Sequence, residues 1–247
     1  MDSLFIKNIE FNEHNIEKKE YVIDNTELII FKNFLSEKDY NTCVDILLFH
    51  LRTGIENDSS INISKESVLH YGHSSIGWHP TYIPHWNYIL TDNDFFKVYI
   101  FSKIQSINEW TKELEIKRIY CSFQTAEQLG NWHYDDHSTD AFTFVLYCNI
   151  TRDKIGRSAS GLDDKSNEVY VNFFDNLADK KIIDGDDDDD GYFHIKYDKE
   201  PIRAIRTSNN SAVLFNSTIL HLGDCPKYNS SSLRCVIAFK LSLPNKK

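Results

Sequence analysis

The sequence predicts a single, mainly β domain of the sandwich or barrel type, with helices at its flank. From residue 116 onward, β-branched and aromatic residues come in short runs that turn-forming residues separate, and no helical pattern intervenes. Two stretches before that point carry apolar residues at helical spacing. Many short strands without helices between them favour a sandwich or barrel, and the two upstream helices are expected to pack on one outer face of it.

A length of 247 residues and a mass of 28.9 kDa are ordinary for one β-rich domain with one large core, so a single domain over 1–247 is predicted. Within it, 29–115 is interpreted as helical support and a loop, and 116–247 as the β core. Strands are predicted near 27–31 and, in the core, near 117–124, 131–136, 141–148, 168–174, 192–198, 201–206, 211–216, 219–223 and 233–242.

The support region is expected to hold two helices joined by a loop. The first helix starts after Ser36, with acidic residues in its first turn, and its apolar residues follow helical spacing. The stretch 53–92 shows no period that holds for long, so it is predicted to be mostly loop. The second helix begins at Asp92 or Asp94 and ends near Lys112.

Composition and charge narrow the classes of partner and location. The formal net charge of −10 disfavours a surface that collects phosphates, so no nucleic-acid partner is expected. The five cysteines form no CxxC spacing and four of them lie inside apolar runs, which predicts reduced core thiols and a cytoplasmic location. The N-terminus lacks a basic leader, and no apolar run approaches about 18 residues, so neither secretion nor membrane insertion is predicted.

Two stretches rich in metal-ligating residue types lack a ligand spacing. The predicted loop 53–92 carries four of the ten histidines, but aromatic-rich loops of this kind more often line or cover a pocket. The aspartate run 186–190 could form a calcium loop, yet ligands in such loops alternate with spacers and end in a glutamate. A solvated, self-repelling turn is therefore favoured for the aspartate run.

A histidine and a carboxylate two residues apart are the first candidates for chemistry. If 132–136 runs as a strand, His133 and Asp135 project from the same face, since side chains alternate with period two. Such a pair supplies two of the three ligands of the facial triad that binds non-haem Fe(II) and leaves other positions open. Asp136 would point to the opposite face and suits a contact to substrate, whereas His137 shares the face and could line the pocket mouth.

His221 is the candidate third ligand, and Arg234 is a candidate anion-binding residue. An apolar strand, a polar turn and His221 follow one another, which returns this histidine to the earlier pair if the strands close into a barrel. Thirteen residues later, Arg234 alternates with Val236 and Ala238 on the small-residue face of a strand. A buried arginine needs an anionic partner, such as a bound carboxylate. Taken alone, a histidine between leucines is also typical of a hydrogen-bonded core residue.

In this order and spacing, the residues resemble those of the Fe(II)- and 2-oxoglutarate-dependent dioxygenases, and specifically the prolyl-4-hydroxylase-like branch. The stretch 31–37 before the first helix is similar to the opening of that branch, and Tyr147-Cys148-Asn149 is similar to the end of its Tyr-x-Asn strand. The resemblance covers 29–242. It implies a double-stranded β-helix, or jelly-roll, core with the N-terminal helices packed on one sheet.

The resemblance also implies an activity. By it, His133, Asp135 and His221 are the catalytic residues that bind Fe(II), Arg234 pairs with the distal carboxylate of 2-oxoglutarate, and Tyr147 donates its hydroxyl to the same carboxylate. The implied reaction hydroxylates a C–H bond of a prolyl or other amino-acid residue, consumes O2 and releases succinate and CO2. Ascorbate is left open as a further cofactor. Retention of Asp135 favours hydroxylation over halogenation, because a chain without this carboxylate would free a site for halide.

The sequence departs from the resemblance in places and leaves alternatives open. A Gly-Gly-Glu segment after the tyrosine strand is not evident, and Phe123 stands where some relatives have a second tyrosine, so Tyr120 or Gln124 could substitute as a co-substrate contact. The expected substrate is a peptide, a protein or a small molecule. A small-metabolite hydroxylase and a catalytically silent barrel that binds or senses a ligand are the alternatives to peptidyl hydroxylation. The oligomeric state is not predicted.

Overall fold

The computed structural model describes residues 7–11, 16–23, 26–58, 67–69, 86–124, 132–151, 192–197, 200–206, 208–223 and 232–244. These residues form many strands and few helices, so the fold is mainly β, as predicted. The strands are β1 (Lys7–Phe11), β2 (Ile16–Ile23), β3 (Thr26–Lys32), β4 (Ser67–Leu69), β5 (Trp86–Ile89), β6 (Glu115–Gln124), β7 (Ala141–Tyr147), β8 (Ile150–Thr151), β9 (Tyr192–Tyr197), β10 (Glu200–Arg206), β11 (Ala212–Asn216), β12 (His221–Gly223) and β13 (Ser232–Ser242). The helical segments are α1 (Glu37–Asp58), a π-helical turn (Phe95–Ile100), α2 (Phe101–Gln105) and a 3-10 turn (Trp110–Glu113).

The strands form two antiparallel sheets. The large sheet has the order β1-β2-β3-β11-β7-β13-β6-β5-β4, with β8 paired to β13, and the small sheet has the order β10-β9-β12. Strands that are distant in the chain, such as β3 and β11 or β6 and β13, are direct neighbours. Two antiparallel sheets with such non-sequential neighbours are the architecture of a jelly roll.

The central strands of the large sheet carry buried apolar residues on both faces, and each face belongs to a separate hydrophobic cluster. One cluster joins the sheet to α1, the π-helical turn and α2, and the other joins it to the small sheet. Strand β11 shows the alternation that separates them. Its Ala212 and Leu214 belong to the helix-side cluster, whereas Val213 and Phe215 belong to the cluster between the sheets. Residues of alternate parity on the central strands therefore face the space between the sheets.

Helix α1 begins where the sequence predicts and continues beyond its predicted end. The N–H of Asp39 donates to Ser36 Oγ at 3.1 Å, which is an N-cap hydrogen bond. The helix extends to Asp58, and β4 and β5 also lie within the stretch 53–92, so the loop prediction is wrong in these parts. The two strands are three and four residues long and pair at the edge of the large sheet, next to β6. Such short segments show no detectable period.

The predicted second helix is not continuous. At its start the N–H of Phe95 donates to Asn93 Oδ1 at 3.1 Å, and Asp94 makes no capping hydrogen bond through its side chain. The helix breaks after α2, before the 3-10 turn. There Thr111 Oγ1 donates to the carbonyl oxygen of Asn108 at 2.7 Å and accepts from the Asn108 N–H at 2.9 Å. The hydroxyl thus replaces helical hydrogen bonds with local ones.

The predicted strand 131–136 is wrong. In the described part of this stretch, the only strand-like pairing is a single bridge between His133 and His221. The N–H groups of Asp135 and of the next residue both donate to the carbonyl oxygen of Ser217, at 3.1 and 3.3 Å. Two consecutive N–H groups that share one acceptor bend the chain, because in a strand they would point to opposite sides.

Several sequence predictions fall outside the described residues. These are the strand at 168–174, the aspartate run 186–190 and the four histidines of the stretch 53–92. The division of one domain at residue 116 stays a prediction. In the part of the chain that the structure describes, no helix is long and apolar enough to cross a bilayer.

Phe144 should be a principal contributor to the stability of the fold. Its ring is fully buried on the helix side of β7, between Phe34 and Phe239, with centroids 4.9 and 5.8 Å away. We expect Phe144→Ala to lower the free energy of unfolding by about 3–5 kcal/mol, because it removes buried area and leaves a cavity. Urea denaturation measures this change. Val98→Ala, at a side chain that is 62% exposed, is the control and should change it by less than about 0.5 kcal/mol.

Candidate metal centre

The structure brings the three predicted ligands together. One ligand atom from each of His133, Asp135 and His221 lies within 4.8 Å of the other two. His133 Nε2 is 3.5 Å from Asp135 Oδ1, and His221 Nε2 is 3.6 Å from Asp135 Oδ2. The two imidazole centroids are 4.3 Å apart. Two imidazoles and one carboxylate that face a common point are the donor set of the facial triad, so these residues fit a divalent transition metal such as Fe(II).

Backbone hydrogen bonds fix the separation of the two histidines. The N–H of His133 donates to the carbonyl oxygen of His221 at 2.9 Å, and the N–H of His221 donates to that of His133 at 3.0 Å. A reciprocal pair of this kind places directly opposite residues about 5.5 Å apart at Cα, with both side chains on one face. The bridge therefore aligns two imidazoles without a strand on the His133 side.

A polar turn delivers His221 to this bridge. Asn216 Oδ1 accepts from the N–H and the hydroxyl of Thr218, at 3.0 and 2.6 Å, and Asn216 Nδ2 donates to the carbonyl oxygen of Thr139 at 2.7 Å. The N–H of Ile219 donates to the carbonyl oxygen of Asn216 at 3.0 Å. This side-chain-stabilised turn reverses the chain after β11, so that β12 starts at His221.

His221 is buried in the form that a metal requires. Its Nδ1 lies 2.8 Å from the carbonyl oxygen of Ile219, and its Nε2 is the ring atom that faces Asp135. With Nδ1 as donor, Nε2 keeps a lone pair for a metal. Burial lowers the pKa of His221 to about 4, and the charge of Asp135 opposes this effect without cancelling it. The imidazole is therefore neutral at neutral pH.

Asp135 is held by donors from several elements. Its Oδ2 accepts from Thr143 Oγ1 at 2.7 Å and forms an ion pair with Lys240. Thr143 Oγ1 also lies 3.0 Å from Ser217 Oγ. Burial acts to raise the pKa of the Asp135 carboxyl, but the hydrogen bond with His133 and the charge of Lys240 outweigh it and hold the pKa well below its usual range. The carboxylate is therefore charged at neutral pH and preoriented toward the two histidines.

Arg234 and Tyr147 form a second polar group in the space between the sheets. Arg234 is 2% exposed, and its Cζ lies 5.2 Å from the centroid of the Tyr147 ring. Burial raises the pKa of Tyr147 to about 12, against the effect of the Arg234 charge, so the phenol stays a hydrogen-bond donor. A Cβ on Gly223 would lie 3.2 Å from Arg234 Nη1. The small residue thus leaves the room that the guanidinium occupies beside β12.

A cavity of about 570 Å³ opens beside the candidate ligands. Asp135 lies in its wall, and the other lining residues include charged side chains of both signs, among them Arg118, Lys240, Asp136 and Asp140, as well as neutral and apolar ones. Arg118 and Lys240 are paired across β6 and β13. A ligand in this cavity would contact both cations and carboxylates next to the candidate metal centre.

The other sequence candidates occupy positions around this centre. His137 is exposed and packs on a neighbouring tyrosine, outside the three ligands. The Tyr120 ring lies under Lys240, whose Nζ is 6.0 Å from the ring centroid. Gln124 pairs through its backbone with Arg234. Tyr120 therefore lies beside Lys240 and the cavity, whereas the backbone of Gln124 lies opposite that of Arg234.

Three residues of the centre were not predicted: Thr143, Ser217 and Lys240. Lys240 had a usable signal, because alternation from Arg234 along the same strand reaches it three steps later. Thr143 had the same signal, because it lies two alternation steps before Tyr147 on its strand, whereas Ser217 had none, since its contact with Thr143 depends on pairing between β7 and β11.

The sequence matches no protein-family model, and no curated protein matches it. Solved structures do resemble the chain. AviO1 from Streptomyces viridochromogenes is 9% identical with a TM-score of 0.50, and the match covers 88% of this chain and 90% of that one. The non-haem α-ketoglutarate-dependent epimerase SnoN from nogalamycin biosynthesis is 8% identical with a TM-score of 0.50, and the match covers 87% and 76%. A Pseudomonas putida prolyl-4-hydroxylase is 10% identical with a TM-score of 0.49 and coverage of 86% and 91%.

At these identities the likeness concerns the fold. In its fold the chain resembles 2-oxoglutarate-dependent proteins, and the resemblance to this class that the sequence predicts is confirmed at this level. α-Ketoglutarate and 2-oxoglutarate are the same compound. A common fold hosts different reactions, so the activity has to be argued from the site.

Thr143 should matter for metal affinity although it is not a ligand. Thr143→Val removes the hydroxyl that donates to Asp135 Oδ2 and keeps the shape of the side chain. We expect the dissociation constant for Co(II), measured by calorimetric titration, to rise about tenfold or more, as for other groups that orient metal ligands. Thr42→Val, whose hydroxyl only meets the carbonyl oxygen of Lys38 on α1, is the matched control and should leave Co(II) affinity unchanged. Equal affinities in all three proteins would contradict the assigned contact.

His221 should make the metal-free protein less stable in acid. Below pH 6.5 the unfolded chain binds a proton at this histidine that the folded chain excludes until about pH 4. The free energy of unfolding therefore falls as the pH falls through this window, by up to about 3 kcal/mol from this group. His221→Gln should remove that part of the pH dependence. Urea denaturation of both proteins at several pH values tests this, and parallel curves for the two would show that His221 does not titrate in this way.

Proposed function

We propose that the chain is an Fe(II)- and 2-oxoglutarate-dependent oxygenase that hydroxylates a C–H bond of a prolyl or other amino-acid residue. The observation that carries the proposal is the convergence of His133, Asp135 and His221 on one point, with donor atoms within 4.8 Å of each other. The buried guanidinium of Arg234 on the inner face of β13 adds a site for an anion. The fold shared with 2-oxoglutarate-dependent proteins supports the same assignment.

In this proposal each polar side chain has a distinct task. His133, Asp135 and His221 hold Fe(II), and Arg234 binds the distal carboxylate of 2-oxoglutarate. Tyr147 donates its hydroxyl to the same carboxylate, which its raised pKa permits at any physiological pH. Bound Fe(II) and 2-oxoglutarate supply the activation of O2, and the products are succinate, CO2 and the hydroxylated substrate. Ascorbate stays open as a further cofactor.

The protein contributes orientation and a charged carboxylate ligand. Thr143 and Lys240 hold Asp135 Oδ2, so the other oxygen of this carboxylate stays oriented toward His133. The buried, neutral His221 needs no deprotonation before it binds a metal. The three ligands are thus arranged before the metal binds, which reduces the cost of ordering them.

The substrate is the least constrained part of the proposal. The prolyl substrate rests on the sequence resemblance. The charged cavity beside Asp135 favours a second candidate, a small polar metabolite, because Arg118 and Lys240 could bind an anionic group there. Among the described residues, four buried cysteines form no disulfide, which supports the cytoplasmic location that we propose with either substrate.

The test is the anaerobic binding of Fe(II) and 2-oxoglutarate. We expect a visible metal-to-ligand charge-transfer band in the wild type that disappears in His133→Ala and persists in His137→Ala, a matched control at an exposed neighbouring histidine. Succinate release in air would then demonstrate turnover, and a mass-shift screen of prolyl peptides against free amino acids would distinguish the two substrate classes. Absence of the band in the wild type would contradict the proposal and favour the alternative, a catalytically silent barrel.

Gly223 should control the affinity for 2-oxoglutarate through Arg234. Gly223→Val places carbon atoms where the guanidinium lies, since even a Cβ would be 3.2 Å from Nη1. We expect the dissociation constant for 2-oxoglutarate to rise about tenfold or more, because a charge-assisted hydrogen bond loses its geometry. Titration of the charge-transfer band measures it. The affinity for the metal alone should stay unchanged, and a loss of metal affinity instead would place the effect of this glycine on His221.

A further inference from the structure

The side chain of Asn149 is a buried amide without hydrogen bonds to the residues that the structure describes. Asn149 is 1% exposed, and among those residues neither its Nδ2 nor its Oδ1 has a hydrogen-bond partner. A buried amide without partners costs on the order of 1–3 kcal/mol, so native proteins rarely keep one without a reason. A ligand that binds beside it would provide one.

Strand register places Asn149 beside the anion-binding arginine. One antiparallel register continues along the chain from β7 into β8, with the pairs Tyr147 and Val236, Ile150 and Leu233, and Thr151 and Ser232. Between these pairs, the N–H of Cys148 donates to the carbonyl oxygen of Cys235 at 2.8 Å. By the same register, Asn149 lies opposite Arg234. Directly opposite residues lie about 5 Å apart at Cβ and share a face.

The position of Asn149 is set through its backbone rather than its side chain. Its N–H donates to Asn209 Oδ1 at 2.8 Å, and the adjacent N–H of Asn210 donates to the carbonyl oxygen of Tyr147 at 3.0 Å. The turn at 208–211 thus holds this segment against β13. The amide is left to face the space that Tyr147 and Arg234 also border.

We propose that Asn149 is a third binding residue for the distal carboxylate of the co-substrate, beside Arg234 and Tyr147. The inference rests on the proposed function. Asn149 Nδ2 carries two N–H donors, and a carboxylate has about four lone-pair sites, more than one guanidinium edge and one hydroxyl fill. The amide adds hydrogen bonds without adding charge, and binding would satisfy a group that the ligand-free protein leaves unpaired.

The first measurement is the dissociation constant for 2-oxoglutarate, from anaerobic titration of the Fe(II) charge-transfer band. We expect Asn149→Leu, which keeps the size of the side chain, to raise this constant about tenfold. Asn149→Asp should raise it further, because a second carboxylate would repel the ligand. The dissociation constant for Fe(II) alone should be the same in all three proteins.

The second measurement separates binding from a structural role. Because the amide has no protein partner, Asn149→Leu should leave the melting temperature of the ligand-free protein unchanged or raise it, while the increase on addition of 2-oxoglutarate becomes smaller. The control Thr111→Val removes a buried hydroxyl outside the site, which donates to the carbonyl oxygen of Asn108, so it should lower the melting temperature and leave 2-oxoglutarate affinity unchanged.

The outcomes distinguish this inference from the function on which it rests. If the wild type binds no 2-oxoglutarate, both the proposed function and the role of Asn149 are wrong. If the wild type binds it and Asn149→Leu binds it equally well, only the role of Asn149 is wrong. If Asn149→Leu is destabilised, Asn149→Ala provides the same comparison, and unchanged affinity there would likewise overturn the inference.

Discussion

The buried carboxylate of Asp135 is the constraint on which the rest of the site depends. Its side chain is 9% exposed, and a charge at that depth is tolerated only with partners. Thr143 on β7 and Lys240 on β13 supply two of them, and the chain around Asp135 is tied to Ser217 after β11. The central strands of the large sheet thus meet at one carboxylate. The jelly roll positions the site because these strands are neighbours in space while they are far apart in sequence.

Much of the fold was predictable from local patterns, and so was the identity of the proposed ligands. Alternation along β13 separated the helix-side residues from those between the sheets, and it marked Arg234 as an inward-facing cation. The strand predicted at 131–136 is wrong, yet its two side chains still converge. The bridge from His133 to His221 aligns one of them, and the bend at Ser217 aligns the other. The residue types at positions 133 and 135 therefore identified the proposed ligands, although the secondary structure predicted for them is wrong.

The remainder depended on contacts that a single sequence does not record. The contact between Thr143 and Asp135 requires strand pairing, and the broken second helix requires that Thr111 bond its own neighbours. In the sequence, Asn149 is identified only as the end of the Tyr-x-Asn strand. Its burial without hydrogen-bond partners among the described residues makes it a candidate for ligand binding. The predicted end of helix α1 falls short of the observed one, because the last turns of the helix lack the apolar spacing that identified its first turns. The contact of Thr143 and the burial of Asn149 are set by tertiary neighbours, whereas the two helix ends are set by local sequence that carries no apolar period.

The position of a bound metal tests most directly whether His133, Asp135 and His221 form the metal centre. Crystals of the protein soaked anaerobically with Fe(II) should show a single strong anomalous peak at the iron edge, within bonding distance of Nε2 of His133, Nε2 of His221 and one carboxylate oxygen of Asp135. Thr143 and Lys240 should keep their contacts with the other oxygen. An iron peak elsewhere, or no peak between these three side chains at saturating Fe(II), would contradict the central claim that they form the metal centre.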